Sequence, residues 1–439
     1  MKISAYQFIR RLAAGMLLFA WTLRAGETPE NLTWNDCVRE AVENNPDIKA
    51  SWHALQSSEA VRKGSYSDFF PQITVNAGRT RAYQPADESA GVTAFGGAAS
   101  ATEYTTQYTA NITLQQMVFD GFKTRGNVDK ARAEARLALA NLISEKALVS
   151  YELKSAFAQL LYAQDLIGIS RSIVAQRDRD YQLVGLRYES GKENKGSVLW
   201  SKANLGQAKF DLEQALRNLL VSRRQLLTSM GVGSRSNPVA AVGELVAAPV
   251  DPKPDFQALA IKTPAHYQRL AEKDAAAAGI TIAQSSLYPW LSATGVVSRQ
   301  DNKFFPKDNG WSVGVSATWD IFDGAQTYFN VRAARASLQQ SQMVLRSTDE
   351  QTALSLARDH TDLVDAVEKV RVQSELLEAA SLRADIAEVQ YRNGLISFQD
   401  FYSITNDYIN QQRQTLGSRR DALIAEAKWE QSRGVGAIP

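Results

Sequence analysis

From Phe122 to about Leu186 the chain has no proline and only three interior glycines, Gly126, Gly168 and Gly185. A helix of about 65 residues at ~1.5 Å each is roughly 100 Å long, against the usual three or four turns. Such a helix has no place inside a compact domain. It needs other long helices beside it, from this chain or from further copies. The stretch also recurs. It is bracketed by Val118-Phe119-Asp120-Gly121 and Arg187-Tyr188-Glu189-Ser190-Gly191, and its copy by Ile321-Phe322-Asp323-Gly324 and Gln390-Tyr391-Arg392-Asn393-Gly394. Gly121 to Gly191 and Gly324 to Gly394 are each 70 positions apart, and the offset of 203 carries Ala131-Arg132-Ala133 onto Ala334-Arg335-Ala336. The same offset carries Ser229 to Gly233 onto Ser432 to Gly436, marking an internal duplication.

Within the first copy, Ala131, Ala135, Ala138, Leu142, Leu153, Phe157, Leu160, Leu161 and Gln164 recur at threes and fours, the spacing of a helix–helix seam. A helix is expected from near Asp36 to about Ser67, interrupted at Asn44-Asn45-Pro46 and ended by Phe70-Pro71. Thr263-Pro264 and Tyr288-Pro289 repeat that punctuation at an offset of 218, so the second copy is 15 residues shorter before its long helix. After each long helix a turn, Gly191–Gly196 or Gly394–Ser397, precedes a return helix, about Val198–Met230 or Phe398–Arg433. Residues 26–233 then form one repeat and 259–439 the other. Residues 234–258, with Pro238, Pro249, Pro252 and Pro254, read as an irregular linker.

The shortened interval changes period. Tyr104, Thr106, Tyr108, Ala110, Ile112 and Leu114 alternate with polar residues, as do Trp311, Val313, Val315, Ala317, Trp319 and Ile321. Gln72–Tyr83 and Trp290–Ser298 show the pattern more weakly. One apolar face and one small, polar face suit strands between lipid and a watery lumen. Residues 1–25 read as a secretory signal peptide: Lys2, Arg10 and Arg11, then the apolar run Leu12–Leu23, then Arg24-Ala25-Gly26. No later stretch is apolar enough to span a bilayer as a helix, so entry into a membrane is expected through strands.

Four strands cannot close a barrel, and an open edge in lipid is prohibitively costly. Two copies would give a filled eight-stranded barrel, three a wider pore; the small polar face favours the cyclic trimer. The fold class is thus a mixed α and β membrane protein, a twelve-stranded barrel continued by helices. Lys+Arg 49 against Asp+Glu 47 leaves no basic excess for nucleic acid. Cys37 is the sole cysteine and His53, His266 and His360 are scattered, so no metal site, cofactor or catalytic constellation is expected.

In its duplicated architecture, Asn45-Pro46, Phe70-Pro71, the two Phe-Asp-Gly turns and the Tyr-x-x-Gly turns at Tyr188–Gly191 and Tyr391–Gly394, the chain resembles the TolC-like outer membrane efflux and secretion channels. The resemblance covers essentially the whole mature chain. It implies a homotrimer in outer membrane lipid, with a periplasmic α-barrel docked to a periplasmic adaptor and an inner-membrane export pump, passing drugs, metals or proteins outward. It further implies adaptor contact at Tyr188, Gly191, Gly394 and Leu395, and barrel-to-helix turns at Phe119, Asp120, Gly121, Phe322, Asp323 and Gly324. Asp400 matches a family aperture aspartate, and Ser403 stands where many relatives have a second. Tyr391 matches a residue that holds the closed tip, with Ser197 at the position of its acidic partner in the first copy. Another reading of the helices is a periplasmic scaffold or adaptor without a pore, which leaves the alternating strands without a purpose.

Overall fold

The computed structural model describes residues 30–84, 103–235, 238–250 and 252–439. The signal segment and most of the loop from Gln84 to Glu103 lie outside the described residues. In chain order the elements are β1 (Glu30–Thr33), α1 (Trp34–Asn44), α2 (Pro46–Gly64), a 3-10 turn at Ser67–Phe69, β2 (Gln72–Gln84), β3 (Glu103–Phe119), α3 (Lys123–Glu189) and α4 (Lys195–Ser229). There follow β4 (Val239–Val242), α5 (Phe256–Ala260), α6 (Pro264–Gln284), a 3-10 turn at Ser285–Leu287, β5 (Trp290–Asp301), β6 (Asp308–Thr318), α7 (Gln326–Arg392) and α8 (Phe398–Ser432). The long helices α3 and α7 both have 67 residues and the return helices α4 and α8 both have 35. Among the described residues no helix is long and apolar enough to cross a membrane.

Two compact units emerge, and each draws on both repeats. Of the described residues, the first takes 30–50, 143–260 and 353–439; the second takes 51–142 and 261–352. In the first unit, α1 starts with a capping box: the Thr33 hydroxyl accepts from the Asp36 N–H at 3.3 Å, and Asp36 accepts from the Thr33 N–H at 3.2 Å. The apolar face of α1 buries Cys37 and Ala41 in a core with Leu153, Leu160, Leu226 and Met230. Burial pushes the Cys37 thiol up to about 12, which keeps it protonated and unreactive. The linker is not wholly irregular. Val239–Val242 pairs in parallel with Glu30–Thr33, setting Leu32 beside Ala241.

The Asn45-Pro46 break is a junction. The Asn45 side chain accepts from the N–H groups of Asp47 and Ile48, at 2.9 and 3.1 Å, and donates to the Ser229 carbonyl at 2.9 Å. Gly231, at φ +79°, lies so close that a Cβ there would stand 2.5 Å from the Asn44 carbonyl oxygen. Asn45→Ala should therefore remove a helix cap and a buried tertiary hydrogen bond together, costing about 2–3 kcal/mol. Chemical denaturation in detergent, followed by circular dichroism, should show an earlier midpoint; an unchanged one would refute the junction's role.

The second unit holds the four-stranded antiparallel sheet in the order β2-β3-β5-β6. Tyr104 pairs with Tyr83, Ile112 with Val75 and Val297, and Val297 with Trp311, so the apolar alternation falls on one face of all four strands.

Candidate functional site

On the other face of the sheet lie Thr74, Asn76, Gly78 and Thr80 of β2, Gln107, Thr109, Asn111 and Thr113 of β3, Thr294 and Ser298 of β5, and Ser312, Gly314 and Ser316 of β6. Hydroxyl and amide side chains bond across it. Ser292 Oγ lies 2.9 Å from Ser316 Oγ, and Gln107 donates to Gln300 at 3.4 Å. The apolar face is bare in the single chain: Ile73, Val75, Trp311, Val313 and Val315 are all exposed. A sheet with a hydroxyl-lined side and an unprotected apolar side separates water from lipid.

The strands pass into the long helices through the Phe-Asp-Gly turns. The Asp120 carboxylate accepts from the Thr124 N–H at 2.6 Å, and Asp323 accepts from the Thr327 N–H at 2.8 Å, each capping its helix. Gly121 and Gly324 take left-handed φ of +67° and +68°, which their lack of a Cβ permits. The surroundings then diverge. A Cβ on Gly121 would stand 2.3 Å from the Ser285 carbonyl oxygen, whereas Gly324 has nothing within 4 Å. Phe119 clusters with Phe122 and Tyr288, with centroids 5.4 and 6.5 Å away, while Phe322 is 86% exposed.

At the C-terminal ends of the long helices, Gly191 and Gly394 turn the chain at φ +72° and +76°. Lys192 N–H donates to the Arg187 carbonyl at 2.8 Å and Leu395 N–H to the Gln390 carbonyl at 2.9 Å, closing the last turns. Asn194 and Ser397 then cap α4 and α8. Tyr391 is fully buried beside Val184, Ala387 and Phe401, stacked on the Phe401 ring at 4.6 Å. Its acidic partner is Glu193, four positions before the expected Ser197. The Tyr391 hydroxyl donates to Glu193 at 2.8 Å, and Ser197 Oγ donates to the same carboxylate at 2.9 Å. Arg187 donates to the Tyr391 carbonyl at 2.6 Å and lies 4.6 Å over its ring. Partial burial pushes Glu193 up, but the Asn194 N–H, the Tyr391 and Ser197 hydroxyls and Arg187 outweigh it and hold the carboxyl below its ordinary value. Burial, then Glu193, raise Tyr391 well above the usual phenol range.

Asp400 and Ser403 are exposed on the first turns of α8, apart from this cluster. Asp400 accepts from the Ser397 hydroxyl at 2.6 Å and completes the cap. Tyr188, Gly191, Gly394 and Leu395 are exposed at the turns, Leu395 72% so. Sequence reading missed Glu193 and Arg187. It also missed Arg177, buried on α3, which donates to Thr405 at 3.4 Å and Asn406 at 3.2 Å and lies 3.5 Å from Asp180. No local motif marks such a pair, whose partners come from a helix more than 200 positions away. Burial lowers Arg177 and pushes Asp180 up to about 6 in spite of their attraction.

Because Asp180 is raised above its ordinary value of 3.8, its contribution to stability is full below that pH and is lost as pH rises through about 6. Amide protection around Asp180, corrected for intrinsic exchange, should therefore be higher at pH 5 than at pH 7. Asp180→Asn should remove that difference and stabilise the region at pH 7 by about 1–2 kcal/mol. The same pH response in both proteins would exclude Asp180 as its source.

Compared with known proteins, residues 37–232 and 266–435 match the family described as "Outer membrane efflux protein". The chain belongs to that family. It is similar to the outer membrane efflux protein BepC of Brucella suis, at 21% identity over 435 residues, covering 97% of this chain and 90% of BepC. The fold is that of the Campylobacter jejuni CmeC outer membrane channel, with TM-score 0.79, 15% identity and coverage of 92% of this chain and 85% of that one. VceC of Vibrio cholerae superposes with TM-score 0.75 at 17% identity, covering 92% and 96% of the two chains. This outer membrane efflux protein therefore has its sheet in the outer membrane and a large helical part in the periplasm, and the scaffold reading is not favoured.

Proposed function

We propose that three copies of the chain close into one pore, a homotrimer that serves as the exit duct of a tripartite export system. The observation that carries this reading is the unequal finish of two like-sequence turns. Within the protomer, the turn at Gly121 is covered by the 3-10 turn Ser285–Leu287 and by Tyr288. The offset of 218 places Ser67–Phe69 and Phe70 as the equivalents of those covering groups. Gly324 and Phe322 lack such a cover, and Phe70 is 64% exposed. A neighbouring copy's Ser67–Phe69 turn fits over Gly324 as Ser285–Leu287 fits over Gly121, and the β6 edge meets the neighbour's β2. Three copies of the four-stranded sheet then make twelve strands with no edge left in lipid.

In this assembly the Tyr391–Glu193 contact holds the periplasmic entrance closed, and Asp400 and Ser403 line its rim. The exposed apolar groups at the turns, Leu186, Tyr188 and Leu395, meet a periplasmic adaptor, which couples the duct to an inner-membrane pump. The test joins Phe70→Cys and Phe322→Cys in a Cys37→Ala background with a short bismaleimide. Covalent species up to three subunits, and a trimer in native mass spectrometry, are expected. A ladder stopping at two, or a monomer, would overturn the assembly.

A further inference from the structure

The apolar face of the sheet ends in a basic belt. Along β2 it reads Ile73, Val75, Ala77, Arg79, Arg81, Tyr83, and register places Tyr108, Thr106 and Tyr104 of β3 opposite the last three. On β5 the same face reads Ala293, Gly295, Val297, Arg299, with Arg299 opposite Ala110. Arg79, Arg81 and Arg299 thus share the apolar face, at the end nearer the strand-connecting loops, and all three are exposed. The polar face from Thr74 to Ala82, Thr105 to Gln115, Ser292 to Gln300 and Gly310 to Thr318 carries no arginine or lysine. Positive charge is placed on the side where hydrocarbon would exclude it, and this placement calls for a reason.

The level supplies one. Tyr108 is eleven residues beyond Phe119, whose cluster with Phe122 and Tyr288 marks the other end of the band. Eleven residues span about 37 Å along a strand, or roughly 28 Å along the membrane normal at a tilt of ~40°. That is about the height of the apolar band of such a barrel, so the arginines stand at the outer headgroup level. Two are held in place by rings: Arg81 lies 4.8 Å over Tyr104 and Arg79 5.7 Å over Tyr108. In the helical part of the same unit, Arg62, Arg132 and Arg136 are spent on Glu59, Asp129 and Asp274. The belt arginines have no such ion pair among the described side chains. Asp301, on the same face, instead accepts from the Lys303 N–H at 3.2 Å within the hairpin.

We infer that Arg79, Arg81 and Arg299 form a lipid-facing site for the phosphate groups of a glycolipid headgroup in the outer leaflet. Guanidinium forks match phosphate oxygens bidentately, and at a membrane surface they do so in partly dehydrated surroundings. β2 and β5 are two strand spacings apart, about 10 Å, so Arg79 and Arg299 can hold separate phosphates of one headgroup. The inference rests on the reading that the apolar face meets lipid.

The test is native mass spectrometry of the delipidated full-length protein, titrated with diphosphoryl lipid A or with its dephosphorylated form. Wild type should bind the phosphorylated lipid at least tenfold more tightly than the dephosphorylated one, a comparison that needs no variant to fold. The triple variant Arg79→Gln, Arg81→Gln, Arg299→Gln should lose that preference, and the triple lysine variant, which keeps the charge without the forks, should keep only part of it. Inorganic phosphate at millimolar concentration should not displace the lipid. Equal binding of the two lipids to wild type, an undiminished preference in the glutamine variant, or full displacement by inorganic phosphate would each overturn the site. Conductance of the same samples in planar bilayers reads the pore separately, so an intact pore with no lipid preference sinks the belt alone.

Discussion

Tyr391→Phe is expected to raise single-channel conductance in planar bilayers several-fold, with little change in assembly. The substitution removes one oxygen and leaves the ring stacked on Phe401 at 4.6 Å, so packing is conserved. What is lost is a bond of 2.8 Å to a carboxylate held ionised by its neighbours. A hydrogen bond to a charged group contributes about 1.5–3 kcal/mol, which moves a closed-to-open equilibrium by roughly 10- to 150-fold in each protomer. Glu193→Ala should act in the same direction, and the double variant should add little, since both remove the same bond. The sign of the pH response follows from Glu193, whose carboxyl lies below its ordinary value of 4.5. Its contribution is present above that value and is lost only as pH falls through the lowered one, so closure should hold from pH 8 to pH 5. Conductance equal to wild type in Tyr391→Phe would remove the contact from the gate.

Gly121→Ala and Gly324→Ala should fail in different ways, although both alter a Phe-Asp-Gly turn. Both glycines sit at left-handed φ, and alanine there costs about 1–2 kcal/mol. At Gly121 the new methyl also meets the Ser285 carbonyl oxygen at 2.3 Å, a backbone atom that cannot swing aside. The cost should exceed about 3 kcal/mol and appear as a protease-sensitive protomer. At Gly324 nothing lies within 4 Å, so the protomer should fold and resist protease. If a neighbour's Ser67–Phe69 turn covers that glycine, the same methyl should instead block assembly. Limited proteolysis and native mass spectrometry separate the two effects. A Gly324→Ala protein that is trimeric at wild-type yield would show that no backbone packs against that turn.

The sequence by itself determined the parts whose signals are local. Two 67-residue helices lie where proline-free stretches run, and their ends fall at Gly191 and Gly394 because a left-handed residue there closes the last turn. The four strands follow the period-two runs, with β3 continuing to Phe119 where the helix cap takes over, and β6 stopping at Thr318, short of the expected Trp319 and Ile321. The helix start expected near Asp36 falls at Trp34, since Asp36 is the third residue of a box capped by Thr33. Family resemblance pointed to Tyr391, and the helix-end pattern placed it at the turn.

Other features depend on partners distant in the chain. Glu30–Thr33 and Val239–Val242 are too short to show a period, and they become strands only by pairing with each other. Glu193 reads as one more turn carboxylate until the fold sets it against a tyrosine almost 200 positions later. Arg177 and Asp180 look like a surface pair on one helix, and it is the packing of α8, through Thr405 and Asn406, that meets the buried Arg177. Gly121 and Gly324 close the same Phe-Asp-Gly triplet at almost the same φ. What lies above each is decided by tertiary structure alone, because van der Waals contact acts between atoms near in space and leaves no trace in the residues nearby in sequence.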